Sequence, residues 1–212
     1  MKTLIAIPCM DQVPAHFAQS LAMLQKVGDC AVAFQIGSLI YTSRNNLAIQ
    51  ALNMNAEYVL WLDSDMVFQP DLLQRMLKVM DENKIDFLSG LYFRRVKPFA
   101  PIIFDKLEVE EDGCHWHNAT EIPTKLTEIA GCGFGVVLLK TEVILNTFGK
   151  MGDLFTPLNG VGEDLSFCWR ARQAGYKIYL DPSISLGHVG NFVFNEDFYK
   201  SFSEAQKNGT SR

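Results

Sequence analysis

The segment Val59-Leu60-Trp61-Leu62-Asp63-Ser64-Asp65-Met66 delivers two carboxylates, separated by one serine, at the end of an apolar run. Two such groups repel each other, and burial raises the cost. A divalent cation relieves both problems, because hard cations take oxygen ligands. A bare Asp-x-Asp triplet also reads as a turn at a strand end. The preceding apolar strand shifts the reading toward a ligand site. A second acidic pair, Glu163 and Asp164, follows Gly162 at the start of a helical stretch. Alone, it reads as a cap that complements the helix dipole. Farther on, His188 stands in Ser185-Leu186-Gly187-His188-Val189-Gly190. A lone histidine is commonly structural, but flanking glycines suit a backbone that approaches something closely.

These residues need elements to hold them. Short β-like runs at Thr3–Ile7, Cys30–Ile36, Glu57–Leu62 and Asp86–Phe93 alternate with helical spacing over Ala15–Val27, Arg44–Met54 and Asp71–Met80. Ser43 is placed to cap the second helix, and Pro70 to open the third. Such alternation predicts an α/β fold with a mostly parallel, Rossmann-type sheet flanked by helices. Ligands in such sheets sit beyond the carboxyl ends of the strands, where Asp63 and Asp65 fall. The second half reads differently. Residues 94–125 are rich in proline, charge and aromatics, with antiparallel strands expected near Pro101–Leu107. Gly131–Gly135 lead into a strand, Thr141–Phe148 and Gly160–Gly175 read as helices, and Lys177–Leu180 as a strand. The chain is therefore expected to be one domain, with a first half over 1–93, a second half over 94–198 and a fraying tail over 199–212.

The 212 residues suffice for one substantial core. A net charge of −5 provides no global basic field for nucleic acid. Any anionic ligand needs a metal, a helix N-terminus or local positive charge. Five scattered cysteines without C-x-x-C spacing point to free thiols in a reducing compartment. No run approaches the roughly 18 apolar residues of a membrane span. The opening MKTLIAIPCM is too short and too soon interrupted for a signal peptide. The expectation is a cytoplasmic protein, or one peripheral to a membrane. The sequons at Asn118 and Asn208 carry little weight there.

Together the motifs resemble those of GT-A-fold glycosyltransferases of the family-2 type. VLWLDSDM resembles their DxD motif, and GEDLSFCWRARQAGYKIYLDP, followed by Gly187-His188, resembles their acidic helix and following histidine. Ser43-Arg44-Asn45 resembles the segment before the DxD strand. The resemblance covers about 1–92 and 128–190. It implies a smaller antiparallel element in the second half and transfer of a hexosyl group from a UDP- or GDP-sugar to a hydroxyl. The acceptor (glycan, lipid-linked or protein) is left open. It also implies Mn²⁺ or Mg²⁺ held by Asp63, Asp65 and His188, and imidazole suits Mn²⁺ better. Asp164 is the implied base, with Glu163 next, and the helix dipole is expected to keep Asp164 ionised. Pro8, Cys9 and Asp11 fall where the nucleotide base is expected, and Ser64 belongs to the donor loop. Arg44 is read as a diphosphate contact, a brace for that loop or a surface ion pair. Gly133 is read as room for a sugar or as a tight turn.

Some alternatives stay open. A nucleotidyltransferase would carry a glycine-rich basic loop where this chain has AIPCMDQVP. An inactive nucleotide-sugar-binding module would not need Asp63, Asp65, Asp164 and His188 together. Trp116, between His115 and His117, reads as a loop aromatic or a sugar-stacking platform. Arg94, Arg95 and Lys97 read as a solvated loop, or as one that grips phosphate or faces a membrane.

Overall fold

A computed structural model describes residues 1–190 except 112 and 159. The expected tail and Asn208 lie outside the described residues. The chain runs β1 (Lys2–Cys9), α1 (Ala15–Met23), β2 (Asp29–Ile36), α2 (Ile40–Asn53), β3 (Tyr58–Leu62), β4 (Met66–Val67), α3 (Leu72–Asn83) and β5 (Phe87–Leu91). Then follow β6 (Ile103–Glu110), β7 (Gly113–Asn118), β8 (Thr127–Ile129), β9 (Gly131–Cys132), β10 (Val136–Lys140), α4 (Thr141–Met151), α5 (Glu163–Gln173), β11 (Ile178–Ser185) and β12 (Gly187–His188).

The central sheet has seven strands in the order β2-β1-β3-β10-β5-β11-β8. β1, β2, β3, β5 and β11 point one way, and β10 and β8 run against them. The same-direction strands therefore present their carboxyl ends along one edge. Side chains alternate along each strand. On β3, Val59 and Trp61 join the core under α2, α4 and α5, while Leu60 and Leu62 join the core under α1 and α3. Burial on both faces explains why β3 reads as an unbroken apolar run.

Boundaries differ from the expectation in several places; α1 ends at Met23 rather than Val27, and β11 runs on to Ser185. β1 extends through Pro8, where pairing with β3 has already stopped at Ala6↔Trp61, so a residue without an N–H costs that strand pair no hydrogen bond. α2 starts at Ile40, with Leu39 rather than Ser43 at its N-cap. Ser43 lies inside the helix, its hydroxyl 2.6 Å from that of Ser38. Pro70 precedes α3 instead of opening it. The smaller antiparallel element is a three-stranded sheet, β7-β6-β9. No helix among the described residues is long and apolar enough to cross a membrane. The five cysteines are free.

Candidate active site

A cleft of about 400 Å³ opens at the carboxyl ends of β1, β3 and β5. Pro8 and Cys9 close one side from the end of β1. Asp63, Ser64 and Asp65 line it from a turn after β3, in which Met66 N–H donates to Asp63 O at 3.3 Å. The turn and ligand-site readings of this segment thus coexist: the turn aims the carboxylates. β4 then pairs with β12 through Met66↔His188, and Val189 N–H donates to Asp65 O at 2.9 Å. That two-stranded ribbon carries His188 to Asp65.

Arg44 is a buried anchor beneath the cleft, 2% exposed. Its Nη2 donates to Asp63 Oδ1 at 2.8 Å and its Nε to Glu163 Oε1 at 3.1 Å. The guanidinium also lies 5.2 Å from the Phe134 ring centre and 5.9 Å from that of Trp61. Burial works against its charge, but Asp63, Glu163 and Asp164 outweigh burial and raise its pKa above the ordinary value. This rules out the surface ion pair and makes Arg44 a brace that locks the β3 turn to the start of α5. Its Nη1 is buried without a hydrogen-bond partner among the described residues.

Gly162 caps α5, and Ser166 N–H donates to Gly162 O at 3.0 Å. Asp164, in the first turn, accepts the Leu165 N–H at 2.7 Å. Its pKa is pushed up to about 6, first by burial and then by the neighbouring Glu163 carboxylate. The helix dipole was expected to keep this group ionised. Desolvation and like charge prevail here instead, giving a stronger base than an ordinary aspartate.

Asp65 faces two partners. Arg95 Nη1 is 2.7 Å from its Oδ2, and His188 Nε2 is 3.4 Å from its Oδ1. Burial alone would raise the Asp65 pKa; the His188 hydrogen bond and charge, with Arg95, lower it instead. Burial likewise works against charge on His188, and the Asp65 hydrogen bond prevails and raises its pKa. His188 Nδ1 lies 2.8 Å from Phe93 O, which fixes the ring with Nε2 toward Asp65.

Among the described residues no three His, Cys, Asp or Glu side chains meet as a metal cluster. Asp63, expected as a third ligand, is turned toward Arg44. Asp65 and His188 still fit a divalent cation in part: a carboxylate and an oriented imidazole meet there, with Arg95 holding the carboxylate in the ion's place.

Asp11 lies outside the lining of the cleft. Gly133 leaves room for protein, not for a sugar: a Cβ there would collide with the Tyr92 hydroxyl. Gly135 serves the same ring, and its N–H donates to the Tyr92 hydroxyl at 3.0 Å. Tyr92 is one of the cleft residues that the sequence reading passed over. It stands just past β5 and packs edge-on against His188, centres 5.6 Å apart. Its signal was its place past a strand end, the same as that of Asp63.

The fold and the acidic cleft define a GT-A-like α/β protein. A family model described as glycosyl transferase family 2 matches residues 30–136, just over half of the chain. The chain belongs to that family, and membership supports glycosyl transfer as its activity. The match stops short of α5 and His188, whose arrangement is therefore this chain's own evidence. Among solved structures, "Crystal Structure of A197 from STIV" is similar in fold, with a TM-score of 0.62 and 19% identity over 92% of this chain and 97% of that one. No curated protein matches the sequence.

Proposed function

We propose that the chain transfers a sugar from a nucleoside-diphosphate donor (a UDP- or GDP-sugar) to an acceptor hydroxyl, with Asp164 taking the hydroxyl proton. The observation that carries this reading is the convergence of the Asp65–His188 pair and the raised carboxyl of Asp164 on one cleft. Asp65 and His188 would hold Mn²⁺ or Mg²⁺. When bound, such an ion supplies positive charge to the departing diphosphate. Pro8 and Cys9 border the end of the cleft assigned to the nucleotide base. Arg44 keeps Asp63 and Glu163 in place. Glu163, tied to that guanidinium, acts as a brace rather than as a second base.

The acceptor oxygen forms its bond to the anomeric carbon as the bond to the diphosphate oxygen breaks. Asp164 takes the proton, and the configuration inverts. Asp164 must be ionised to do so, and its pKa of about 6 lies close to neutral working conditions. Transfer should therefore rise with pH through about 6. Asp164→Asn keeps size and the Leu165 contact but cannot accept the proton. It should bind nucleoside diphosphate as the wild type does and lose transfer by roughly 10²–10⁴-fold. Normal turnover in that variant, or lost donor binding, would remove Asp164 from this role.

A further inference from the structure

Outside the cleft, a second concavity of about 640 Å³ lies between β7 and the loop at 98–101. Trp116 stands on its wall and is 47% exposed. It is not a loose loop side chain. β7 pairs with β6 through Leu107↔Trp116, and the indole packs edge-on against the buried Phe104 ring, centres 5.7 Å apart. Phe99 and Pro101 also line the concavity. Polar groups interrupt the apolar surface. Arg94 Nη2 donates to Asn118 Oδ1 at 2.8 Å, and Asn118 Nδ2 donates to Pro101 O at 3.4 Å.

This concavity leads toward the base. A smaller recess of about 170 Å³ shares Trp116 and Arg94 with it and ends at Gly160–Gly162. A Cβ on Gly160 would meet nothing within 4 Å, so that wall is open. A Cβ on Gly162 would lie 3.1 Å from Asp164 Oδ1. The recess that starts at the indole thus reaches Gly162, beside the Asp164 carboxylate.

We infer that the Trp116–Arg94 groove is the acceptor subsite and that its occupant is a saccharide. The assignment rests on reading the neighbouring cleft as a glycosyl-transfer site. A pyranose presents a C–H face and a rim of hydroxyls. A held, half-exposed indole takes the face, and the Asn118 amide and Arg94 guanidinium take the rim. An acyl chain would desolvate those polar groups without pairing them. A sugar stacked on Trp116 extends its next ring past the open Gly160 edge, which brings one hydroxyl to Asp164. Trp116 is a positioning residue in this account.

The test uses the full chain with a glycan array of immobilised oligosaccharides. The best free oligosaccharide is then titrated by calorimetry into the wild type, Trp116→Ala and Trp116→Phe. UDP and GDP binding with Mn²⁺ is measured on the same samples, and circular dichroism checks the fold. The alanine variant should lose saccharide affinity by about tenfold or more, with partial retention in the phenylalanine variant. Nucleoside-diphosphate affinity should stay within about twofold. Equal saccharide affinity in wild type and Trp116→Ala overturns the assignment. So does an array on which nothing binds while detergent or phospholipid vesicles do. Loss of nucleoside-diphosphate binding in Trp116→Ala overturns it too, because the indole would then serve the donor. A wild type that binds saccharides but no nucleoside diphosphate defeats the donor reading, a separate result that takes the acceptor role with it.

Discussion

Removing the Asp164 charge should stabilise the protein while it silences the site. The carboxyl titrates near 6 rather than at its ordinary 3.8, chiefly because burial and Glu163 disfavour the anion. A folded pKa raised above the unfolded one means that the neutral form is favoured by folding. That contribution is fully present below about 3.8 and is lost as pH rises through about 6. At pH 8 the wild type carries the whole penalty. A shift of about two pH units corresponds to roughly 3 kcal/mol at about 1.36 kcal/mol per unit. Asp164→Asn removes the charge and keeps an oxygen for the Leu165 N–H. In a domain of this size about 1 kcal/mol moves Tm by roughly 2–4 °C. Calorimetric melting of both proteins without nucleotide or metal should show the variant ahead by roughly 6–12 °C at pH 8. The gap should close as pH falls toward 4. A variant that melts at or below the wild type at pH 8, or a gap independent of pH, would refute the reasoning that burial raises this carboxyl.

Three further outcomes follow from named contacts. Arg44→Met strands Asp63 and Glu163 without their buried cation and should cost about 3–5 kcal/mol in urea unfolding; a loss below about 1 kcal/mol would contradict the brace. Gly133→Ala forces a methyl into the Tyr92 hydroxyl and should destabilise by about 1–3 kcal/mol, so a neutral change would mean that this ring moves freely. Arg95→Gln releases Asp65 from its 2.7 Å partner and should tighten Mn²⁺ binding several-fold in calorimetry; weaker binding would make Arg95 part of the ligand site rather than a competitor for it.

The β/α alternation of the first 95 residues was legible because each buried strand is an unbroken apolar run and each helix shows its own period. Asp63 and Asp65 were legible for the same reason: the run on β3 stops abruptly at charge. His188 was found through its glycine context, and the pairing of β4 with β12 supplies the physical link to Asp65. Other features depend on tertiary placement. Val136–Lys140 reads as a strand, but nothing in its pattern tells that it inserts antiparallel between β3 and β5. The motif pointed to Arg44, but its burial between Asp63 and Glu163 shows only once α2 faces the β3 turn. Gly133 and Gly135 announce close approach without saying that Tyr92 is what approaches. The Asp164 pKa was misjudged because a helix position is local, whereas desolvation depends on everything packed around the carboxylate.

The most direct measurement is the release of nucleoside diphosphate from a panel of UDP- and GDP-sugars, with Mn²⁺ and with EDTA, by the wild type and Asp65→Ala. The account predicts slow release from at least one donor by the wild type with Mn²⁺. That release should collapse with EDTA and in Asp65→Ala, while circular dichroism shows both proteins folded. Equal release in both proteins, with and without EDTA, would contradict an Asp65-centred donor site.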